Sequence, residues 1–315
     1  YEFSKNGRPD YTSFCTFNDN VIVDNVNFLI LCYLTLGKEE YMDPIRRGMD
    51  YYLVSQHSGG GWAQQYDQNQ EPAGARSYEP RALLPGATFQ NAMDILDFYQ
   101  LTGDRKYLVR VPMAIEWLEK TRLPSSGTDG GRYSHATFVD PETNEPIYVH
   151  RKGSNVIHGY YYTDDKDENT LRHYGAKTRI PIDLLQERYD SLSSVAPDIV
   201  AKDSPLKPSA YEGEVTPQKK YSRWTRRPFR RGADSRVEEI LTSLDEQGRW
   251  LSTRAMTSNP YVGDGTSTEE TDQYASTNVG DETDTSPYRD RSGQEYISTR
   301  LYIRNMQELI NALER

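Results

Sequence analysis

The first residues whose types and spacing could do chemistry are Thr16-Phe17-Asn18-Asp19-Asn20. A carboxylate beside amide oxygens is a ligand set that suits a hard cation such as calcium. The same residue types cap helices, because their side-chain oxygens accept hydrogen bonds from the free N–H groups of a first helical turn. A helical pattern begins directly after this cluster. The sequence therefore leaves two interpretations open, a metal site at Asp19 and a helix cap.

A second cluster runs from Gly59 to Pro80 and combines glycines, aromatic residues and one arginine. Trp62 could offer a flat ring on which a sugar stacks. Arg76 could bind a carboxylate through two parallel hydrogen bonds, which a lysine cannot do. The alternative is a structural turn in which Arg76 pairs with Asp67 or Glu79.

A third cluster, Tyr148 to Asn155, follows the short alternating run Ile147-Tyr148-Val149, which predicts a strand. His150, Arg151 and Lys152 place three potential cations at the end of that strand. A solvated loop would contain the same residues. The functional interpretation is an anion-binding tip that carries a candidate base.

Two predicted helical hairpins, 21–56 and 88–121, separate these clusters. Apolar residues recur at helical spacing in each, and a glycine, Gly37 or Gly103, marks each turn. A single hairpin cannot bury its apolar stripe alone, so repeated hairpins are expected to stack. The predicted fold is mainly α: an α/α toroid of stacked helical hairpins with long irregular loops and a few short strands.

The distribution of apolar and charged residues predicts two parts. Apolar residues thin out after about residue 125, which indicates a catalytic module over 1–180 and a polar extension over 181–315 that wraps or trails it. A net charge of −10 argues against a general nucleic-acid or anionic-membrane binder. No apolar run stands out as a bilayer span. The basic, aromatic cluster at 219–231 fits a strap that pairs with the acidic remainder, a polyuronate groove or a nucleic-acid site.

Together, the three clusters resemble the motifs of pectate lyases of polysaccharide lyase family 10. Residues 16–19 resemble a T-Y-N-D motif at a helix start. Residues 62–67 and 75–79 resemble a W-x-Q-Q/H-D segment that leads into A-R-S-Y-E. Residues 138–146 resemble an F-x-D-x-E-T-N-x-P run that leads to an arginine-containing tip. The resemblance covers roughly residues 12–178.

This resemblance implies a calcium-dependent lyase that cleaves polygalacturonate by anti β-elimination, on the α/α toroid fold. Asp19 would bind the catalytic Ca²⁺, Arg76 would bind substrate carboxylates and Arg151 would be the Brønsted base. The other expected substrate-binding residues are Trp62, Gln65, Tyr78, His150 and Lys152. The substrate would be an acidic plant polysaccharide, homogalacturonan or a related pectin, and the protein would be secreted, periplasmic or on the cell surface.

Two alternatives accompany this hypothesis. One is a non-catalytic relative that binds uronates or pectin on the same scaffold. The other is an α/α-toroid glycoside hydrolase, which would need two opposed carboxylates such as Asp67 and Glu79. An arginine base predicts an alkaline optimum, because arginine in solution has a pKa above about 12. If Arg151 is not the base, His150 is the next candidate because histidine titrates near neutrality.

Overall fold

A computed structural model of the chain describes residues 11, 13–75, 79–152, 160–171, 174–206, 236–253 and 295–313. These residues divide into two compact units. The first holds the described residues up to 206, and the second holds 236–253 and 295–313. The basic cluster at 219–231 lies outside the described residues.

The first predicted hairpin is confirmed as helix α1, Val21–Leu36, followed by helix α2, Met42–Val54. Helix α1 ends at Gly37, whose φ of 63° lies in the left-handed region that glycine adopts without a Cβ penalty. Its N–H donates to the carbonyl of Tyr33 at 2.9 Å. Apolar side chains of both helices are buried against each other at positions that the helical spacing predicts.

The second predicted hairpin is also confirmed. Helix α3, Pro85–Thr102, is followed by helix α4, Val111–Lys120. Gly103, with a φ of 71°, ends α3 as Gly37 ends α1, and its N–H donates to Tyr99. Pro112 lies in the first turn of α4, where a missing N–H breaks no helical hydrogen bond.

The prediction of an α/α toroid is wrong. About half of the described residues are helical, which fits a mainly α protein, but those helices do not form a closed ring. Helix α1 packs on α2, α2 on α3, and α3 and α4 pack on helix α5, Ile182–Ser193. After α4 the described chain enters short strands instead of another hairpin. The predicted hairpin repeat is confirmed. Two stacked hairpins do not by themselves determine that the helices close into a ring.

Helix α5 lies just beyond the predicted boundary at residue 180 and packs in the first unit. Arg188 of α5 binds the carboxylate of Asp97 and donates to Gln100 Oε1 at 2.9 Å, both on α3. The four-residue helix α6, Pro197–Val200, follows it. The division into a module over 1–180 and an extension over 181–315 stays a prediction.

The strands of the first unit are short and antiparallel. Strand β1 pairs with β2, β3 with β7, and β4, β5 and β6 form a three-stranded sheet. Their bounds are Cys15–Thr16 for β1, Gln65–Tyr66 for β2, His135–Ala136 for β3, Phe138–Val139 for β4, Pro146–Lys152 for β5, Tyr160–Asp164 for β6 and Lys177–Thr178 for β7. The strand predicted at 147–149 is therefore confirmed as the middle of β5.

The run Phe138 to Pro146 comprises β4, the turn that follows it and the first residue of β5. The Asp140 carboxylate accepts hydrogen bonds from the backbone N–H groups of Glu142 at 3.0 Å and Thr143 at 2.8 Å. Asn144 has a φ of 61°, and its Oδ1 accepts a bond from Trp117 Nε1 on α4 at 2.7 Å. This run therefore fixes strand β5 to the helices.

The second unit contains helix α7, Val237–Thr242, strands β8, Leu251–Ser252, and β9, Tyr296–Ile297, and helix α8, Thr299–Leu313. Trp250 Nε1 donates to the carbonyl of Ile240 at 2.9 Å, and the Trp250 ring packs on Tyr302.

One stretch of the described chain, Asn18–Leu36, is long and apolar enough to cross a membrane by length and composition, contrary to the sequence prediction. Only 22% of its most apolar window is buried. Val26 and Ile30 of this stretch are buried in the core that α1 shares with α2.

His135 on β3 gives the fold an expected pH dependence. Its Nε2 lies 2.7 Å from the Leu118 carbonyl and its Nδ1 lies 2.8 Å from Ser134 Oγ, which also accepts from Ile180 N. Burial lowers the pKa of His135 below its ordinary value of 6.5. As the pH falls below that value, the unfolded chain binds the proton first. We expect the free energy of unfolding to fall there, by about 1.4 kcal/mol for each unit of pKa depression.

Urea unfolding at a series of pH values from about 7.5 to about 5 measures this dependence. His135→Gln removes the titrating group and is expected to flatten that part of the curve. The control is His57→Gln, because the half-buried His57 accepts only an N–H from Gly59 in its own turn. An unchanged pH dependence in His135→Gln would contradict the assignment.

Candidate active site

The residues before α1 form a tight turn, Asn18–Asn20, with no capping bond from the Asn20 side chain. Asp19 has a φ of 55° and Asn20 a φ of 61°, so two consecutive non-glycine residues are left-handed. Few side chains adopt this conformation without support from their surroundings. The helix-cap interpretation is therefore wrong for Asn20, and the Asp19 side chain is exposed at a supported turn.

Strand β2 joins the second cluster to this turn. Gln65 pairs with Thr16 in the β1–β2 ladder, and the carbonyl of Gln64 accepts the N–H of Phe17 at 2.8 Å. Gln65 is buried, so its side chain faces protein in this structure. Burial also raises the pKa of Tyr66, which keeps that phenol neutral.

Trp62 lies in the core. Its side chain is 0% exposed, and its Nε1 donates to the carbonyl of Tyr52 at 3.0 Å. A sugar can stack only on an exposed ring face, and the Trp62 ring presents none. In this conformation the indole therefore contributes to the packing of the core.

A buried carboxylate joins three separated segments. Glu79, 1% exposed, accepts at Oε1 from Tyr174 Oη at 2.6 Å and from Asn18 Nδ2 at 3.2 Å. Gln64 Nε2 donates to the same Tyr174 hydroxyl at 3.0 Å. We call these four residues, Asn18, Gln64, Glu79 and Tyr174, the Glu79 network. Its short hydroxyl–carboxylate bond is of the charge-assisted kind that is stronger than a neutral one.

Arg151 and His150 point to opposite faces of strand β5, because successive side chains of a strand alternate. Arg151 is opposite Tyr161 on β6, and its Nη1 lies 3.5 Å from the Tyr161 hydroxyl. The Arg151 residue is only 3% exposed. A substrate bound on one face of the sheet could therefore reach only one of these two candidate bases.

The Arg151 face carries a small apolar core that also contacts the Glu79 network. This core consists of Ala82, Leu84, Phe138, Val149, Tyr161 and Leu171, with Tyr174 packed against it. The ring centroids of Phe138 and Tyr174 are 5.6 Å apart. Arg151 thus contacts Tyr161 of this core, and Tyr174, which binds Glu79, packs against the same core.

The His150 face is different. His150 Nε2 lies 2.8 Å from Asp164 Oδ1 and 3.0 Å from the Lys166 carbonyl, so this nitrogen carries a proton. The ring stacks on Tyr162 with centroids 5.3 Å apart. These contacts tie β5 to β6 on the side of the sheet opposite Arg151.

Residues 2–82 match the family model of pectic acid lyase. No curated protein matches the chain. The match covers about a quarter of the chain, and it supports a lyase that acts on pectate. The resemblance to pectate lyases is thereby confirmed for this part, and the assignment to family 10 stays a prediction.

The pectic acid lyase match contains the Asn18–Asn20 turn, β2 and Glu79, and it ends before β5. Arg76 and Tyr78 fall within the match but outside the described residues. Lys152 ends strand β5, where it pairs with Tyr160. The predicted binding roles of these residues stay predictions.

The exposed Asp19 carboxylate fits an open calcium site but not a closed one. Among the described residues, no group of three or more His, Cys, Asp and Glu side chains could hold a metal ion. Calcium takes six to eight oxygen ligands, including water and ligand carboxylates. Asp19 would therefore supply part of a set that substrate carboxylates and water complete.

The two carboxylates suggested for a glycoside hydrolase have structural partners. Asp67 Oδ1 accepts the backbone N–H groups of Asn69 at 2.8 Å and Glu71 at 3.0 Å, which closes its own turn. Glu79 is buried in its network. Neither arrangement presents a carboxylate to a sugar, so this geometry gives no support to a hydrolase.

Sequence reasoning missed the Glu79 network. From the sequence, Asn18 belonged to a cluster that could be a helix cap or a metal site, and Glu79 was a possible partner of Arg76 or a hydrolase carboxylate. Both residues lie in segments that resemble pectate lyase motifs. Tyr174 lies in no such motif and shows no spacing signal. Only the contact with Glu79 identifies it.

Proposed function

We propose that this protein is a calcium-dependent lyase that cleaves polygalacturonate by anti β-elimination, with Arg151 as the Brønsted base. The observation that carries the proposal is the shared core, which joins the Arg151 face of β5 to the Glu79 network and the Asn18–Asn20 turn. Secretion and the assignment to family 10 are part of the same proposal.

The proposed reaction begins with removal of the proton at C5 of a galacturonate residue. Arg151, which can act as a base only in its neutral form, accepts that proton, and the C5–H electron pair forms a C4=C5 double bond. The C4–O4 bond breaks, and O4 leaves with the rest of the polysaccharide and takes a proton from water. Positioned general bases contribute about 10²- to 10⁴-fold to such steps.

Calcium bound to the uronate carboxylate would make the C5 proton more acidic. Asp19 would hold the ion from the protein side, and Arg76 would hold a second substrate carboxylate.

The test is the ultraviolet absorbance of an unsaturated uronide during incubation with polygalacturonate at alkaline pH, with calcium and then with a chelator. An absorbance rise that requires calcium supports the proposal. No rise with calcium present would contradict it. A binding assay with the same polymer would then test the non-catalytic alternative.

Replacing Asp19 by asparagine tests the calcium ligand separately. The substitution keeps the shape and the side-chain oxygen but removes the negative charge that a hard cation prefers. We expect the calcium concentration for half-maximal elimination to rise at least about tenfold, with activity partly restored by excess calcium.

Asp43→Asn is the matched control, because Asp43 is also an exposed aspartate and lies in the first turn of α2. Its ion pair with Arg47 joins exposed side chains and contributes little to stability. The calcium requirement of this variant should equal that of the unmodified protein. Equal requirements in both variants would exclude Asp19 as a ligand.

A further inference from the structure

Tyr174 occupies an unexpected position in the first unit, between the Asn18–Asn20 turn and the small core of β4–β6. Its ring packs on Phe138, and its hydroxyl donates to Glu79 at 2.6 Å while it accepts from Gln64 at 3.0 Å. Tyr174 thus links the Gln64 amide to the Glu79 carboxylate.

We infer that Tyr174 is a positioning residue, whose bond to Glu79 holds the Asn18–Asn20 turn in the conformation that presents Asp19. The expected effect of Tyr174 on catalysis rests on the proposed function. Its expected effect on the turn does not, and that effect can be measured without enzymatic turnover.

The turn needs such support because Asp19 and Asn20 are both left-handed. Non-glycine residues keep this conformation where surrounding contacts over-determine it. Hydrogen bonds hold the chain just before them: Phe17 N donates to the Gln64 carbonyl, Asn18 N to Thr16 Oγ1, and Asn18 Nδ2 to Glu79. The last of these depends on where the Glu79 carboxylate lies.

Tyr174 fixes the position of that carboxylate. Both Tyr174 and Asn18 bond to the same oxygen, Oε1, so the phenol holds the acceptor where the Asn18 amide can reach it. The phenol also lies 3.5 Å from Asn18 Nδ2 itself. Without the hydroxyl, the carboxylate loses a bond at the oxygen that Asn18 uses, and the turn loses one of its constraints.

Tyr174→Phe removes the hydroxyl and keeps the ring on Phe138. We expect the backbone amides of residues 14–20 to exchange with deuterium about five- to tenfold faster. In the lyase assay, the calcium concentration for half-maximal elimination should rise by a similar factor, with a smaller change in the KM for polygalacturonate.

The matched control is Tyr107→Phe. Tyr107 also donates its hydroxyl to a carboxylate in the first unit, Asp50 Oδ1 at 2.8 Å, but it lies between α3 and α4. Both variants lose one hydroxyl–carboxylate bond and should lose similar thermal stability. Only Tyr174→Phe should speed exchange at residues 14–20 and raise the calcium requirement.

A second variant keeps the inference testable if Tyr174→Phe folds poorly. Asn18→Ala removes the last link of the chain, and in that background Tyr174→Phe should add little to the exchange rate of residues 14–20. Equal exchange of these amides in Tyr174→Phe and Tyr107→Phe, or additive effects with Asn18→Ala, would overturn the inference. If the unmodified protein forms no unsaturated uronide, the proposed function fails, and the exchange comparison alone decides the role of Tyr174.

Discussion

Replacing Arg151 by methionine is expected to lower the rate of unsaturated uronide formation by at least about 10²-fold. Methionine retains an unbranched apolar stem beside Tyr161 but has no group that can accept the C5 proton. The loss should appear in kcat, with little change in the KM for polygalacturonate, because a base acts mainly in the transition state. Initial rates at saturating calcium measure both.

The neighbouring residue provides the decisive comparison. His150 precedes Arg151 in the chain but faces the other side of β5, where it binds Asp164 and the Lys166 carbonyl. We expect the large loss to follow Arg151→Met and not His150→Gln. The opposite result would identify His150 as the base and would move the reaction to the other face of the sheet.

A lysine at position 151 tests the same assignment through pH. Lysine loses its proton near pH 10.4 in solution, below arginine, so a lysine base should work at a lower pH. We expect Arg151→Lys to retain a small activity whose pH profile shifts in the acid direction. A profile that keeps its shape at reduced height would indicate that residue 151 binds substrate and does not remove the proton.

Replacing Trp62 by alanine is expected to lower the free energy of unfolding by about 3 to 5 kcal/mol. The indole is fully buried, and its removal leaves a cavity in the core shared by both hairpins. The Tyr52 carbonyl also loses the Nε1 donor. Domains of ordinary stability have about 5 to 15 kcal/mol in total, so this variant should be close to unfolding at moderate temperature. Urea denaturation measures the loss.

Phe28→Ala is the control for this prediction. Phe28 is another aromatic residue of the first unit, but it is 62% exposed on α1, and surface substitutions usually change stability by less than about 0.5 kcal/mol. If Trp62 instead provided a sugar platform, Trp62→Ala would raise the KM for polygalacturonate and leave the unfolding free energy nearly unchanged. That outcome would contradict the burial of the ring.

The helical hairpins could be predicted from the sequence because their signals are local. Apolar residues at helical spacing define one face of each helix, and Gly37 and Gly103 permit the left-handed conformation that ends α1 and α3. The strand at 147–149 follows from local alternation in the same way. Each signal lies within a few residues of the structure that it specifies.

Whether the helices close into a ring was decided by the tertiary structure. A repeat shows that hairpins stack, but the number of hairpins and their curvature set whether the stack becomes a ring. In the described chain, strands follow α4, and α5 packs back on α3 and α4. No pattern within the hairpins contains that information.

The candidate site shows the same division. The sequence by itself determined which residue types stand near the site: Asp19 at a helix start, Glu79 after the glycine-rich segment, and Arg151 at the end of a strand. Only the tertiary structure decided that Trp62 is buried, that Arg151 and His150 face opposite ways, and that Tyr174 binds Glu79. Tyr174 and Glu79 are 95 residues apart, so their bond depends on how distant segments pack and leaves no trace in local spacing.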